Sequence, residues 1–447
     1  LGQVIAALIV VFYGGLTINS VGLLLPGEMT LPDWIAIPLT VVVIVGVTNA
    51  INLSDGLDGL AGGISLLCFS CIGIIAYQIS DINLAVISVA VVGAIFAFLR
   101  FNTHPAIIFM GDAGSLLLGF LAVTLSIGLS QTNNPISPLF PLLVLGFPIL
   151  DTLTVMFERI SKGRSPFKAD KNHFHHKLIN IGFLHSEAVF TIYLLQSMLV
   201  TFAFIFKYHS EWFILLSYVA FSGLILTVFA VTDKTGWQIR RSSMFSRLIM
   251  SKISLLKEKS IFIKIAYWVV LMFLPSLLLF TCLLPIRIPP YLQVISMSLA
   301  GFIFLVMFFR QAWMETTLRL SMYFLIPLLV YQCNQGMVSW LDPHFEKIYN
   351  ISFGVLIVFI IWLLKFTRRQ HGFKSTPTDF LILFIALIVP NLPDAHIQSY
   401  HMGLYATKLI VFLFSYEVLI GELRGELNGL GLTTIAAMLV VAVRGAV

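Results

Sequence analysis

Charge is scarce in this 447-residue sequence: Asp, Glu, Lys and Arg make up 11% of it, about half the share found in an ordinary soluble domain. A soluble globule so poor in charge would expose large apolar patches, which excludes that class. Cysteine is scarce too. Cys68 and Cys71 form a C-x-x-C, but inside an apolar run with no His or further Cys nearby, so they read as small packing residues rather than as a redox or zinc motif. Polar and apolar residues do not alternate in runs such as Ala85 to Leu99, which excludes a β-barrel. There is no initiator Met and no signal-peptide flank: Leu1 already lies in an apolar run, and the chain stops abruptly at Arg444-Gly-Ala-Val447. The sequence therefore reads as a fragment, cut at its front.

Apolar residues are abundant, at 58%. Runs near the roughly 20 residues that cross a hydrocarbon core recur from end to end, and in lipid such runs must be helices. The expected fold is all-α, a polytopic transmembrane helical bundle of about 15 spans in two membrane halves, with the lipid bilayer as solvent. The spans fall at 1–18, 35–50, 60–79, 84–99, 114–130, 139–157, 188–207 and 211–231, then at 265–284, 292–309, 320–337, 351–366, 378–392, 404–420 and 430–444. Residues 1–231 form the first membrane domain, 232–264 a basic linker that either lies on the anionic leaflet or is simply solvated, and 265–447 the second domain. The net charge is +6, but the bases sit between spans, which argues against nucleic acid as a partner. Arg159, Lys162, Arg164, Lys168, Lys171 and Lys177 occupy one loop, and Lys234 to Lys264 the next on the same side. Glu28, Asp33, Asp81 and Glu211 mark the opposite side. The positive-inside rule makes the basic loops cytoplasmic.

Three polar segments then share the cytoplasmic face. In the first, Asn49, Asn52, Asp55 and Asp58 recur every third residue before a glycine-rich turn ending at Gly63. Carboxylates three apart on a helix are neighbours, and they repel unless a cation or donors lie between them. A polar helix-capping loop is the plain alternative, but ionisable residues this dense at a membrane helix end favour function. The second runs from Arg100 through Asn102, His104, Phe109, Gly111 and Asp112 to Ser115. Asp112 opens a span, where it is either a cap or a hard oxygen ligand for Mg²⁺, and the free amides there suit phosphate. Phe109 is either a lipid anchor or a base-stacking ring. The third holds Arg164, His173, His175, His176 and Lys177. Positive-inside explains its Lys and Arg but not three His in four residues, and Arg and His donors fit a pyrophosphate better than zinc. Carboxylates, glycine-backed amides and a cationic loop together make a phosphoryl-transfer kit.

Asn52-x-x-Asp55-Gly-Leu-Asp58-Gly-Leu-Ala, Phe109-Met-Gly-Asp112-x-Gly-Ser115 and Gly163-Arg-Ser-Pro…His173-x-His175-His176 resemble the polyprenyl-phosphate N-acetylhexosamine-1-phosphate transferase family over about residues 1–205. That family holds the bacterial UDP-GlcNAc:undecaprenyl-phosphate GlcNAc-1-phosphate transferases and, more distantly, the phospho-N-acetylmuramoyl-pentapeptide transferases. The His-x-His-His form looks like the GlcNAc-1-phosphate branch. The resemblance implies Asp112 and Asp55 as ligands of Mg²⁺, for which Mn²⁺ can substitute. It implies Asp55, Asp58, His173, His175 and His176 as catalytic, and Asn49, Asn52, Asn102, Phe109, Gly111 and Arg164 as substrate-binding. The substrates it implies are a UDP-N-acetylhexosamine and undecaprenyl phosphate, with UMP released; a homodimer is compatible with it. The family's earlier Asp-Asp pair is missing here, so this piece alone is expected to be inactive. The rival class is a transporter or flippase for a lipid-linked or phosphorylated sugar, which would place its polar groups near the bilayer midplane. Residues 265–447 resemble no family. Arg310, Glu315, Arg319, Arg424 and Glu426 either pair near the cytoplasmic surface or serve as membrane-end anchors, and Asp342, His344, Asp394, His396 and His401 face outward.

Overall fold

The computed structural model describes residues 1–22, 30–131, 135–166, 172–238, 261–335, 343–366, 402–423 and 427–446. These residues form helices and no strand. Eight of the helices are long and apolar enough to cross a membrane, and the expected segment 378–392 lies outside the described residues. Chain packing separates two compact units, with the main break after Ser243.

The first unit contains α1 (Gly2–Phe12), α2 (Asp33–Leu53), α3 (Leu60–Gln78), α4 (Ile82–Asn102), α5 (Gly111–Ser130), α6 (Phe140–Val144), α7 (Gly146–Ser161), α8 (Phe174–Ile181), α9 (His185–Phe206) and α10 (Glu211–Thr235). α3 is its axis, being far more enclosed than α4 or α10. Small residues allow that enclosure, since between helices in lipid close packing replaces the hydrophobic effect. A Cβ on Gly63 would lie 2.1 Å from the Tyr193 ring of α9, and one on Gly119 of α5 would lie 2.8 Å from the Thr48 carbonyl of α2. α1 stops at Phe12, short of the expected 1–18, because Gly14 and Gly15 follow and Gly15 turns left-handed.

The expected span 139–157 is broken at Leu145, between α6 and α7. Pro148 is the cause: it has no N–H to give the Val144 carbonyl four residues back. α9 supplies the replacement, as Gln196 Nε2 donates to Val144 O at 2.6 Å and Gln196 Oε1 accepts from Phe147 N at 3.3 Å. Cys68 Sγ also donates to Val144 O, and Tyr218 OH donates to Gly146 O at 2.8 Å. Gln196→Leu leaves Phe147 N–H unpaired in an apolar interior and leaves Val144 O with only the weak Cys68 thiol donor, a loss of about 2 kcal/mol. The expected result is a melting temperature several degrees lower in detergent.

The second unit contains α11 (Ile261–Leu283), α12 (Pro290–Phe309), α13 (Met314–Gln335), α14 (Pro343–Phe366), α15 (Met402–Leu423) and α16 (Asn428–Ala446). Its core includes Leu274, Ile303, Leu325, Phe412 and Met438. Arg444 of α16 donates to Cys282 O and Pro285 O at the end of α11, filling carbonyls a helix C-terminus leaves open. Arg319 pairs with Glu315 at 3.0 Å and also with Glu417 at 3.1 Å. Arg424, Glu426, Asp342, Asp394, His396 and His401 lie outside the described residues, as does the side chain of His344.

Candidate active site

The chemistry-bearing residues gather where α2, α4 and α7 end and where α3, α5, α8 and α9 begin, which is one end of the first unit. α2 runs out at Leu53, and residues 54–59 turn into α3. Gly59, at φ +82°, makes the turn in a conformation that side-chain-bearing residues avoid. Both backbone groups of Gly59 are held: its N–H donates to Asn102 Oδ1 at 2.9 Å, and its carbonyl accepts from Tyr193 OH at 2.6 Å. Asn102 also donates to Ile108 O at 2.8 Å and is 3% exposed. It is thus a brace between the first and second segments. Asn49, one turn before Asn52, exchanges hydrogen bonds with Gln3 of α1.

Gly111, at φ +65°, starts α5, and the exposed Asp112 follows in the first turn, where the helix dipole favours a carboxylate. Asn52 Nδ2 donates to Asp112 Oδ1 at 3.1 Å and to Ser115 Oγ at 2.8 Å. The Asp55 carboxyl is held above its ordinary pKa by burial, then by the charges of Asp112 and Asp58. Among the described residues no Lys or Arg pairs with Asp55 or Asp112. Oxygen donors without a counter-charge fit a hard divalent cation that shares its shell with phosphate, while the helix N-terminus offers its amides to the phosphate rather than to the cation. Asp58 faces the other way. Its Oδ2 accepts from His104 Nδ1 at 2.7 Å and from Ala106 N at 3.2 Å. Partial burial works against its charged form, but those hydrogen bonds and the nearby His185 and His104 outweigh it and keep its pKa low.

The third segment is anchored from below. Asp151 of α7 is 3% exposed; its Oδ2 accepts from His173 Nδ1 at 2.9 Å and its Oδ1 from Phe174 N at 2.8 Å. This fixes the start of α8 and turns His175 against the first segment, where a Cβ on Gly56 would lie 2.4 Å from His175 Nε2. The rings of His173 and His175 stack at 5.9 Å, and those of His175 and His176 meet at 4.2 Å. Burial first, then His176, pushes the His175 pKa down from 6.5 to about 4. The imidazoles therefore do not all add positive charge at neutral pH, as a cationic reading of the loop assumed. Arg164 and Phe109 are exposed on this end, Phe109 at 74%. Lys177 pairs with Glu158. Residues 167–171 lie outside the described residues.

The low pKa of His175 carries a sign that can be measured. Between pH 6.5 and 4 the unfolded chain gains a proton at this position and the folded one does not. Stability is thus unaffected above about pH 6.5 and falls through that window by about 3 kcal/mol. Melting curves of the wild type should drop more steeply between pH 6.5 and 4 than those of His175→Asn, whose side chain stays neutral.

Asp151, His185 and Tyr193 carry no role in the sequence reading. Asp151 had a signal: it is the only acid within the apolar stretch 139–157, and an ionisable residue at such depth is functional by default. Tyr193 and His185 had none, because only the fold brings α9 to the first segment.

Residues 1–130 match the family model described as glycosyl transferase family 4. Over 205 residues the chain is 38% identical to a probable undecaprenyl-phosphate N-acetylglucosaminyl 1-phosphate transferase of Bacillus subtilis, covering 45% of this chain and 57% of that protein. Over 248 residues it is 30% identical to an undecaprenyl-phosphate alpha-N-acetylglucosaminyl 1-phosphate transferase of Yersinia pestis, covering 54% and 67%. A decaprenyl-phosphate N-acetylglucosaminephosphotransferase of Mycobacterium leprae is 38% identical over 214 residues, covering 43% and 54%. The chain thus spans about half to two thirds of the length of these curated relatives.

Proposed function

The chain belongs to glycosyl transferase family 4, and on that premise we propose that its first unit transfers N-acetylhexosamine-1-phosphate, with N-acetylglucosamine as the sugar, from a UDP-sugar to undecaprenyl phosphate. An oxygen of the lipid phosphate attacks the sugar-linked phosphorus, the bond to the other phosphate breaks, UMP leaves, and a polyprenyl-diphosphate sugar forms. The nucleophile is already an anion, so the attacking oxygen needs no general base, and catalysis is positioning and charge neutralisation. The observation that carries the reading is the convergence of three distant segments through Asn52 with Asp112, Asp58 with His104, and Gly56 with His175.

Each side chain has a task in this reading. Asp55 and Asp112 hold Mg²⁺, which neutralises diphosphate charge when bound. Asn52 fixes the Asp112 carboxylate, and the start of α5 offers its amides to phosphate oxygens. His175, neutral at pH 7, and His176 hydrogen-bond the diphosphate and sugar, with His173 held in place by Asp151. Arg164 gives two parallel donors to phosphate, and the exposed Phe109 stacks on uracil. The site faces the cytoplasm, and the short α1 and the broken α6–α7 pair count among the about 15 crossings. The break at Leu145 is the feature that favours a transporter, but Gln196 and Tyr218 fill its open backbone groups from within, so it is a sealed joint.

Membranes carrying the chain joined to a family segment that bears the Asp-Asp pair should release UMP from UDP-N-acetylglucosamine only when undecaprenyl phosphate and Mg²⁺ are both supplied, and the chain without that segment should release none; UMP release by any variant is likewise that of the joined form. Sugar uptake into vesicles without UMP release would overturn the transferase in favour of the transporter.

A further inference from the structure

Asp58, His104 and His185 come from three separate stretches, the turn after α2, the turn after α4 and the start of α9, yet their ligand atoms lie within 4.8 Å of one another. Asp58 Oδ2 is 2.7 Å from His104 Nδ1 and 4.0 Å from His185 Nε2. The two imidazoles stack at 4.1 Å with 19° between their planes. His185 Nε2 is buried and makes no hydrogen bond, although it points toward the Asp58 carboxylate. A buried ring nitrogen left unpaired is costly, and a ligand that accepts its lone pair removes the cost.

We propose that these three residues form a second metal site, distinct from the all-oxygen Asp55 and Asp112 pair, that takes a borderline divalent cation such as Zn²⁺. Two imidazoles and one carboxylate suit Zn²⁺, whereas Mg²⁺ prefers oxygen donors. Bonds of about 2.0–2.1 Å in a tetrahedron set ligand atoms about 3.3 Å apart. The 2.7 Å contact therefore opens and the 4.0 Å one closes, each by less than 1 Å, while the fourth position stays open to solvent or substrate. On binding, the hydrogen that His104 Nδ1 shares with Asp58 moves to Nε2, so a neutral ring needs no net loss of a proton. The N-terminal dipole of α9 opposes a cation beside His185, and the Asp58 charge offsets it. A filled site ties α9 to both turns and withdraws Asp58 from the diphosphate pocket. The inference goes beyond the transfer reaction and concerns metal binding alone, so its failure leaves that reaction standing.

The test uses the tag-free full chain in detergent with Co²⁺ as the probe. The expected result is one equivalent of Co²⁺ with the strong visible absorption of a four-coordinate centre, displaced by stoichiometric Zn²⁺ and not by a large excess of Mg²⁺. His104→Gln and His185→Gln should each abolish that absorption while melting as the wild type does, and Asp112→Asn and His176→Asn should keep it. Because His104 and His185 sit on different elements, loss of the band in both folded variants supports the site. No four-coordinate spectrum in the wild type, a spectrum that survives His185→Gln, or one lost in Asp112→Asn or His176→Asn, would overturn it.

Discussion

Asp112→Asn should lower UMP release by roughly 10²–10³-fold or more, the scale seen when one charge-stabilising group is removed from a phosphoryl- or acyl-transfer site, and yet make the metal-free protein more stable. The two effects have one cause. Asp112 is among the charges that hold Asp55 above its ordinary pKa, so the metal-free site stores repulsion between neighbouring carboxylates. Asparagine keeps the shape and the contact with Asn52 while removing that repulsion. The gain should be small, because solvent screens the repulsion at the exposed Asp112 and the helix dipole favours the carboxylate that is replaced, so the melting temperature should rise only slightly. The wild type should recover the difference when Mg²⁺ is added, and the variant should not. Melting curves with and without Mg²⁺, read beside the UMP assay, check both signs. A variant that melts lower than the wild type without metal would show that Asp112 is a structural cap.

Asp151→Ala should be the most damaging single change in the first unit. It strands two buried donors, His173 Nδ1 and the Phe174 N–H, and each buried group left without its partner costs about 1–3 kcal/mol. That corresponds to a melting temperature roughly 10 °C lower. Because Asp151 orients the start of α8, the surviving folded fraction should also lose UMP release. Asp151→Asn retains a carbonyl for one of the two donors and should melt between the wild type and the alanine variant. Equal melting of all three would show that the pair does not hold the histidine segment.

Helix positions could be read closely wherever apolar length alone decides them. The expected 84–99 and 188–207 correspond to α4 and α9 with ends moved by a few residues. The reading failed at Leu145, where a single missing N–H at Pro148 breaks a helix that hydropathy treats as continuous. The residues that gather at the candidate site were legible when they sat in dense polar runs, as Asn52, Asp55, Asp58, Asp112 and His175 do. Their division of labour was not. Asn102 lies in the same motif as Asp112 but is buried as a brace, and His175 lies in a basic loop but is kept neutral by burial. Partners such as Tyr193 and His185 depend on which helix packs against which, and neither periodicity nor composition carries that information.

The most direct test of convergence is the electron paramagnetic resonance of Mn²⁺ bound to the protein, with and without a UDP-sugar. One bound Mn²⁺ that needs Asp55 and Asp112, and whose signal acquires phosphorus coupling when the UDP-sugar is added, with weaker retention of the nucleotide in His176→Asn, is the outcome expected of a single diphosphate pocket. Mn²⁺ held at Asp112 with no phosphorus coupling, or nucleotide bound equally well without the metal and without His176, would contradict it.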